Sequence, residues 1–378
     1  MSDSDRALLG GQTASRFLRQ HWQKTAHLVR SAVPDFNGMF DRASLVALAA
    51  RDDVESRLVV KARGRYTLAH GPFRRTDFKA LPARGWTLLV QGLNLHSDAA
   101  DALLRRFAFL PLARLDDLMV SYAVPGGGVG PHFDSYDVFL LQGYGRRRWR
   151  YGRQQDLSLM PDLPVKILRT FTPQEDQVVA PGDLLYLPPQ YAHDGVALEE
   201  CTTYSIGFRA GSAQELATGF LDFLRDSLTI EGRYADPDLV PTNEPARIGR
   251  RMQRRTADLL KRIAWDRGTV ARFLGSELSE PKPLVVFDPP HPVSSQAAFA
   301  KRIRSKGVVL DRRTQLLYDD ERLYVNGAEA GFPPQGAQSL RELANARRLS
   351  ARACAALSGD TLALLHDWYR NGFLTPGE

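Results

Sequence analysis

The sequence predicts an α+β chain: a β-barrel or jelly-roll domain, then a block of helices, then helices around a small hairpin in the manner of a winged helix. Three observations predict it. Short apolar runs of strand length, cut by Gly and Pro, dominate the first half, with few helices after residue 113 and before about 210. From Ala213 the pattern changes to amphipathic helix, with Leu216, Phe220, Phe223 and Leu224 on one stripe. Near the end, Asn326-Gly327 follows Leu323-Tyr324-Val325, a hairpin signal set among helical segments. At 378 residues the chain exceeds one core. The expected domains are 1–212, 213–280 and 281–378.

Each element follows from local pattern. Residues 15–30 read as a short helix, with Phe17, Leu18 and Trp22 at helical spacing, followed by a strand. A second short helix covers 45–48. Residues 54–60 and 65–68 alternate like strands, and Gly71-Pro72 ends them. The near-continuous apolar run WTLLVQGLNL, 86–95, reads as a buried strand, 100–113 as helix and 117–124 as strand. Strands follow at 136–142, 147–151, 184–187 and 203–208, with a lead-in at 177–180. Helices are expected at 213–228, 245–265, a stretch ending near Gly275, 296–305, 337–345 and 360–371, and strand pieces at 308–310 and 314–318. Pro281-Lys282-Pro283 reads as a linker.

Composition narrows the class. Hydrophobic content of 43% and charged content of 25% are ordinary for a soluble globular protein. The N-terminus shows no signal-peptide h-region, and no apolar stretch is long enough to cross a bilayer. Cys201 and Cys354 are the only cysteines, which excludes a disulfide scaffold and a cysteine-built zinc site and fits a reducing cytoplasm. A net charge of +7 permits a nucleic-acid or ribosome-associated role without requiring it.

The chemistry concentrates in two stretches. GPHFDSYDVFLLQGYGRRRWRYG, 130–152, carries a His-x-Asp pair, a Gly-Tyr-Gly turn and four arginines around a tryptophan. PGDLLYLPPQYAHDG, 181–195, carries His193. On a strand, His132 and Asp134 point to one face and supply two adjacent ligand positions. His193 completes a facial triad that leaves positions open on a non-haem iron. A bare His-x-Asp is a weak signal; the Gly-rich entry and the barrel context strengthen it. The arginines read first as a solvated edge. Alternation nevertheless turns one set inward, where an unpaired guanidinium is costly and a dicarboxylate would satisfy it. Arg147 is the expected inward residue, with Arg148 the alternative. Ser121 is a candidate for a further hydroxyl contact, and equally a plain strand serine. Tyr144 is a candidate for flanking a substrate or for capping the barrel. Asp116, Asp117 and Asp137 are candidates for pairing with a cationic substrate or with the protein's own arginines. The other six histidines have no partner pattern.

The runs DDLMVSYAVPGGGVGPHFDSYDVFLLQGYGRRRWRYG and PGDLLYLPPQYAHDG, with FLRQHWQKTAHLVR and WTLLVQGLNLH, resemble the JmjC-type ribosomal oxygenases of the cupin superfamily. The resemblance is dense over residues 15–210 and continues in layout beyond. It implies a double-stranded β-helix catalytic domain, a helical dimerisation block and a C-terminal winged helix. It implies dependence on Fe(II) and 2-oxoglutarate, with His132, Asp134 and His193 as iron ligands, Arg147 on the distal carboxylate, and no catalytic residue beyond the ligands. Two positions depart from the family pattern. Ala123 stands where relatives often place a serine that helps hold 2-oxoglutarate, which leaves Ser121 as the substitute. Phe133 stands inside His-x-Asp in place of leucine.

The expected function is therefore hydroxylation of an arginine β-carbon in a 50S ribosomal protein, by a cytoplasmic homodimer. The same machinery acting on a histidine or a methyl-lysine is the rival enzyme. A non-catalytic cupin-type ribosome- or nucleic-acid-binding protein, led by the basic helix 247–262, is the rival from another class. Acidic residues in the tail, among them Asp319, Asp320, Glu321 and Glu329, favour protein interaction over DNA for the winged helix.

Overall fold

The computed structural model describes residues 3–377 and divides into two compact units. Of the described residues, the first comprises 3–210 with 282–288 and 311–313, and the second holds the others. The segment expected as a linker at Lys282 thus returns to the first unit, where Lys282 donates to Asp116.

The first unit carries helices α1 (Asp3–Leu8), α2 (Ala14–Gln20), α3 (Arg42–Leu48) and α4 (Asp98–Arg105). Its strands are β1 (His27–Val29), β2 (Ser56–Ala62), β3 (Arg65–His70), β4 (Trp86–Val90), β5 (Leu115–Ala123), β6 (Val138–Gln142), β7 (Arg147–Arg153), β8 (Glu175–Val179), β9 (Leu184–Leu187), β10 (Tyr191–Ala197) and β11 (Cys201–Phe208). They form an antiparallel eight-stranded sheet in the order β1-β9-β6-β11-β5-β4-β2-β3 and a three-stranded sheet β10-β7-β8.

Side-chain alternation explains the layering. One face of the large sheet sends Leu88, Val90, Val120, Tyr122, Phe139, Leu141, Tyr186, Tyr204 and Phe208 into a continuous core with Phe17, Leu45 and Leu104 from α2, α3 and α4. Tyr204 lies in that core, and its hydroxyl accepts the backbone N–H groups of Met39 and Phe40. The opposite face offers Val138, Leu140, Leu185 and Leu187, which pack with Trp149, Tyr151 and Tyr191 of the small sheet. The residues that carry chemistry lie between these faces.

Several elements differ from expectation. The apolar run from Trp86 stops being strand at Val90, because Gly92 adopts a left-handed conformation and starts a 3-10 turn. The helix expected over 100–113 spans 98–105 and cannot run on through Pro111. Strand β6 begins at Val138, so His-x-Asp is not on a regular strand: His132 forms an isolated bridge with His193. Gly130, in the left-handed region at φ +84°, breaks the ladder just before it.

The second unit begins with α5 (Ala213–Ser227), closed by a Ser212–Glu215 capping box, then α6 (Arg250–Leu260) and α7 (Arg267–Ser279). The helix expected over 245–265 is confined to eleven residues, and the third helix runs past Gly275 to Ser279. Next come α8 (Gln296–Lys306), β12 (Val308–Leu310), β13 (Leu316–Tyr318), β14 (Arg322–Val325) and β15 (Ala328–Gly331), with the expected turn at Asn326-Gly327. After α9 (Ala337–Ala346), β16 (Arg348–Leu349), α10 (Ala351–Ala355) and α11 (Gly359–Arg370), the chain ends on β17 (Leu374–Pro376) beside β12. A core of Phe299, Ile303, Leu340, Leu343, Leu365 and Trp368 holds these parts together.

Candidate metal centre

A cavity of about 510 Å³ lies between the inner faces of the two sheets. His132, Asp134 and His193 line it, and one ligand atom from each lies within 4.8 Å of the others. Backbone pairing sets this convergence. His132 and His193 exchange both N–H···O=C bonds, at 2.9 and 2.8 Å, and the Asp134 carbonyl accepts from Gln190 at 2.7 Å. Each imidazole is also locked from behind. Nδ1 of His132 donates to the Gly130 carbonyl at 2.8 Å, and Nδ1 of His193 to the Tyr191 carbonyl at 2.9 Å. A carbonyl only accepts, so both rings carry their proton on Nδ1 and present an Nε2 lone pair. Nε2 of His193 stands 3.6 Å from Asp134 Oδ2. Burial, then the neighbouring His132, pushes the His193 imidazole down to about 4, so it is neutral near pH 7, as a metal ligand must be. Two imidazole nitrogens and one carboxylate match a facial, open-sided metal site.

The small sheet supplies a second group. β7 pairs with β10 in a register that sets His193 opposite Tyr151, Gly195 opposite Trp149 and Ala197 opposite Arg147. Cross-strand partners share a face, so Arg147, Trp149 and His193 all turn inward. Arg147 is 4% exposed, and its guanidinium lies 5.6 Å from the centre of the Trp149 ring. Its terminal nitrogen donates to Ser121 Oγ at 3.4 Å, while Nε is buried without a hydrogen bond. Among the described residues no carboxylate pairs with it. Arg146, Arg148 and Arg150 instead pair outward with Glu199, Asp176 and Asp194. A buried, uncompensated guanidinium with a bare Nε fits an incoming carboxylate. Ser121 lines the cavity opposite Thr203, whereas Ala123 lies in a separate small cluster with Ala197 and Cys201.

The acidic candidates separate. Asp116 and Asp117 both line the cavity, but Asp116 is already engaged by Arg209 and Lys282. Asp117 is 4% exposed and accepts from Gln91 at 2.7 Å. Burial pushes its carboxyl up to about 6; Asp116 adds to the rise, and Lys282 and Gln91 oppose it. Asp137 is not at the site. It is fully buried on the core side, accepting from Tyr186 at 2.6 Å, Gln23 at 3.0 Å and Arg114 at 3.4 Å. Tyr144 is not there either: the Gly-Tyr-Gly turn folds it against the main core, 6.5 Å from the Tyr122 ring. Trp149, Tyr136 and Lys166 line the cavity and were not foreseen as site residues. The alternation that turns Arg147 inward also turns Trp149 inward, so that signal was present. Lys166 lies in an irregular loop, where no periodicity could point to it.

Comparison with known proteins places this geometry. Residues 102–216 match the JmjC domain family, and residues 262–375 match a ROXA-like winged helix. The ribosomal protein uL16 3-hydroxylase of Escherichia coli (strain K12) is 36% identical over 324 residues, which cover 84% of this chain and 85% of that one. This chain belongs to the JmjC-type ribosomal oxygenases. Within that family it is also 33% identical to a probable ribosomal oxygenase of Haemophilus influenzae, over 82% of this chain and 72% of the relative. Among solved ribosomal oxygenases, E. coli YcfD in complex with cobalt and 2-oxoglutarate superposes with a TM-score of 0.81 at 32% identity, covering 96% of this chain and 98% of that one. YcfD with cobalt and succinic acid gives 0.80 over the same shares. The expected cupin barrel and winged helix are thus both present in this ribosomal oxygenase.

Proposed function

We propose that this ribosomal oxygenase is an iron(II)- and 2-oxoglutarate-dependent hydroxylase that oxidises the β-carbon of an arginine in a uL16-type ribosomal protein. The observation that carries this reading is one cavity holding both the His132–Asp134–His193 convergence and the uncompensated guanidinium of Arg147. His132 and His193, through Nε2, and Asp134, through its carboxylate, would hold the metal. When bound, iron(II) would couple the oxidative decarboxylation of 2-oxoglutarate by dioxygen, which takes one oxygen atom into succinate and releases carbon dioxide, to insertion of the other oxygen atom into an unactivated C–H bond.

The chain's own residues do the rest. Arg147 binds the distal carboxylate of 2-oxoglutarate with two N–H donors, and Ser121 supports it. Trp149 stacks on that guanidinium and keeps water from it. Leu89, Met119, Val138 and Leu140 dry the cavity wall. Asp117 accepts the substrate guanidinium, with Asp116 held beside it by Arg209 and Lys282. A buried carboxylate favours a permanent cation over a neutral imidazole, which favours arginine over histidine as the substrate residue. The protein's division into catalytic (1–212), dimerisation (213–280) and winged-helix (281–378) parts belongs to the same proposal, as does a cytoplasmic homodimer. In support, Leu221, Ile248, Met252, Leu260 and Trp265 of the helical block are exposed apolar side chains, and among the described residues no helix is long and apolar enough to cross a membrane.

Mass spectrometry of a uL16-type protein, incubated with this protein, iron(II) and 2-oxoglutarate, tests the assignment. The expected result is a gain of one oxygen on an arginine peptide, abolished in His132→Ala and in Asp134→Ala. Activity persisting in either variant overturns the centre. Oxygen found on a histidine peptide instead overturns the role of Asp117.

A further inference from the structure

Residues 245–272 contain nine basic and two acidic side chains, a net of +7. That equals the formal charge of the whole chain, so the remaining residues sum to zero. Eight of the nine are arginine, whose planar fork matches phosphate oxygens better than the point charge of lysine does. The charge is also arranged. In α6, Arg250, Arg251, Arg254 and Arg255 fall at i, i+1, i+4 and i+5 and so occupy one face of the helix. No residue of α6 is buried. Arg251 and Arg255 are steadied by the preceding loop: both reach Asp238, and they also donate to the carbonyls of Asp238 and Ala235. Arg250 and Arg254 are exposed and form no ion pair among the described residues. Lys261 and Arg262 follow, the former paired with Asp258 and the latter bonded to the Glu231 carbonyl.

We propose that this face of α6 is an RNA-binding surface that grips the phosphate backbone without reading sequence. The hydroxylase reading of the cavity is not needed for it; the proposal rests on charge placement alone. Four arginines on one face of α6, two of them paired with the single carboxylate of Asp238 and two with no ion pair among the described residues, create a local positive potential. Arg250 and Arg254 differ from surface arginines such as Arg146, Arg148 and Arg225, each of which pairs with a carboxylate. Two steadied arginines beside two free ones give both a fixed platform and unpaired charge. An acidic protein or an anionic membrane could also meet positive charge. Closely spaced phosphates on a flexible strand fit arginines one helical turn apart best, because each guanidinium can take its own phosphate.

The test is fluorescence anisotropy of a labelled, unstructured twenty-nucleotide single-stranded RNA titrated with the full-length protein at a series of salt concentrations. The expected result is binding whose log affinity falls linearly with log salt. In Arg250→Gln/Arg254→Gln the slope should shrink by about 1.4, for two lost phosphate contacts at roughly 0.7 each, with affinity at least about tenfold weaker at low salt. The variant should keep its melting temperature, its sedimentation coefficient and its peptide hydroxylation rate. Absence of RNA binding by the unmodified protein, or an unchanged slope in the variant, overturns the proposal. So does a loss of binding accompanied by altered sedimentation, which would make the arginines structural. Equal competition by poly-glutamate, or equal binding to phosphatidylserine vesicles, also overturns it, since the surface would then be a general anion binder.

Discussion

The small-sheet wall of the cavity and helix α6 are both arginine-rich, yet they are built in opposite ways. On β7, alternation sorts each arginine: Arg147 is buried against Trp149, while Arg148 and Arg150 pair with carboxylates outside. Seven consecutive residue pairs with β10 fix that sorting, and His193 lies in the same ladder. On α6 nothing is buried, no side chain caps the Gly249 end, and the helix has only eleven residues. An isolated helix of that length is marginal in water. One region gets its order from backbone pairing with a neighbouring strand, and the other is steadied by side-chain bonds from Arg251 and Arg255 to the preceding loop. Chemistry that demands sub-ångström placement sits on the first, and recognition that tolerates adjustment sits on the second.

The strongest way to break this contrast is to disturb the ladder itself. A Cβ on Gly195 would fall 2.5 Å from two carbons of the Trp149 ring. Gly195→Val should therefore push Trp149 off Arg147, costing about 3 kcal/mol. The barrel's melting transition should drop by roughly 6–12 °C. An unchanged transition would show that the wall yields more easily than its register implies.

Arg147→Met separates binding from stability. The variant removes a buried charge that has no partner, so the melting temperature should hold or rise. The KM for 2-oxoglutarate should nonetheless rise at least about tenfold, because a charge-assisted bidentate contact is lost. A fall in stability with an unchanged KM would assign Arg147 to the scaffold.

The acidic wall adds a pH signature. The Asp117 carboxyl is raised in the folded protein to about 6. Its charged form is thus disfavoured by folding, and the associated penalty is absent at low pH and grows as pH rises through the window between its ordinary value and about 6. Substrate binding has the opposite sense, since the guanidinium needs the charged form. The KM for an arginine peptide should rise as pH falls below about 6, with kcat less affected. Asp117→Asn should flatten that KM profile and raise KM throughout. A profile unchanged in the variant would remove Asp117 from substrate recognition.

The sequence revealed what period and short-range chemistry encode. Arg147 was legible because a strand cannot turn successive side chains the same way. The core face was legible for the same reason: Leu88 and Val90, Val120 and Tyr122, Phe139 and Leu141 repeat at two. Strand β10 was not legible. Its segment carries Asp194 and Gly195, both poor strand formers, directly after Pro188-Pro189, and it is a strand because β7 pairs with it. Asp137 was misplaced because its carboxylate is five residues from His132 in sequence while its partners, Gln23 and Tyr186, come from far along the chain. Such pairings have no local signature. The Lys282 contact to Asp116 likewise spans 166 residues and crosses a stretch that reads as a linker.

The smallest expected effect sharpens the comparison most cheaply. Arg148 neighbours Arg147, belongs to the same strand and carries the same charge, and its guanidinium pairs with Asp176 at the surface. Both partners are about half exposed, so solvent screens the pair and the side-chain entropy lost in forming it offsets what remains. Arg148→Ala should leave the melting temperature, the KM for 2-oxoglutarate and the hydroxylation rate unchanged within measurement, at low and at moderate salt. Its neutrality matters only beside the Arg147→Met result. If one residue step along β7 separates a large KM effect from none, the inward turn of the strand distinguishes the two, since residue type, charge and local sequence are shared. If Arg148→Ala also raises the KM, the arginines act on 2-oxoglutarate as a diffuse positive edge, and the sorting on β7 would then resemble the collective charge of α6.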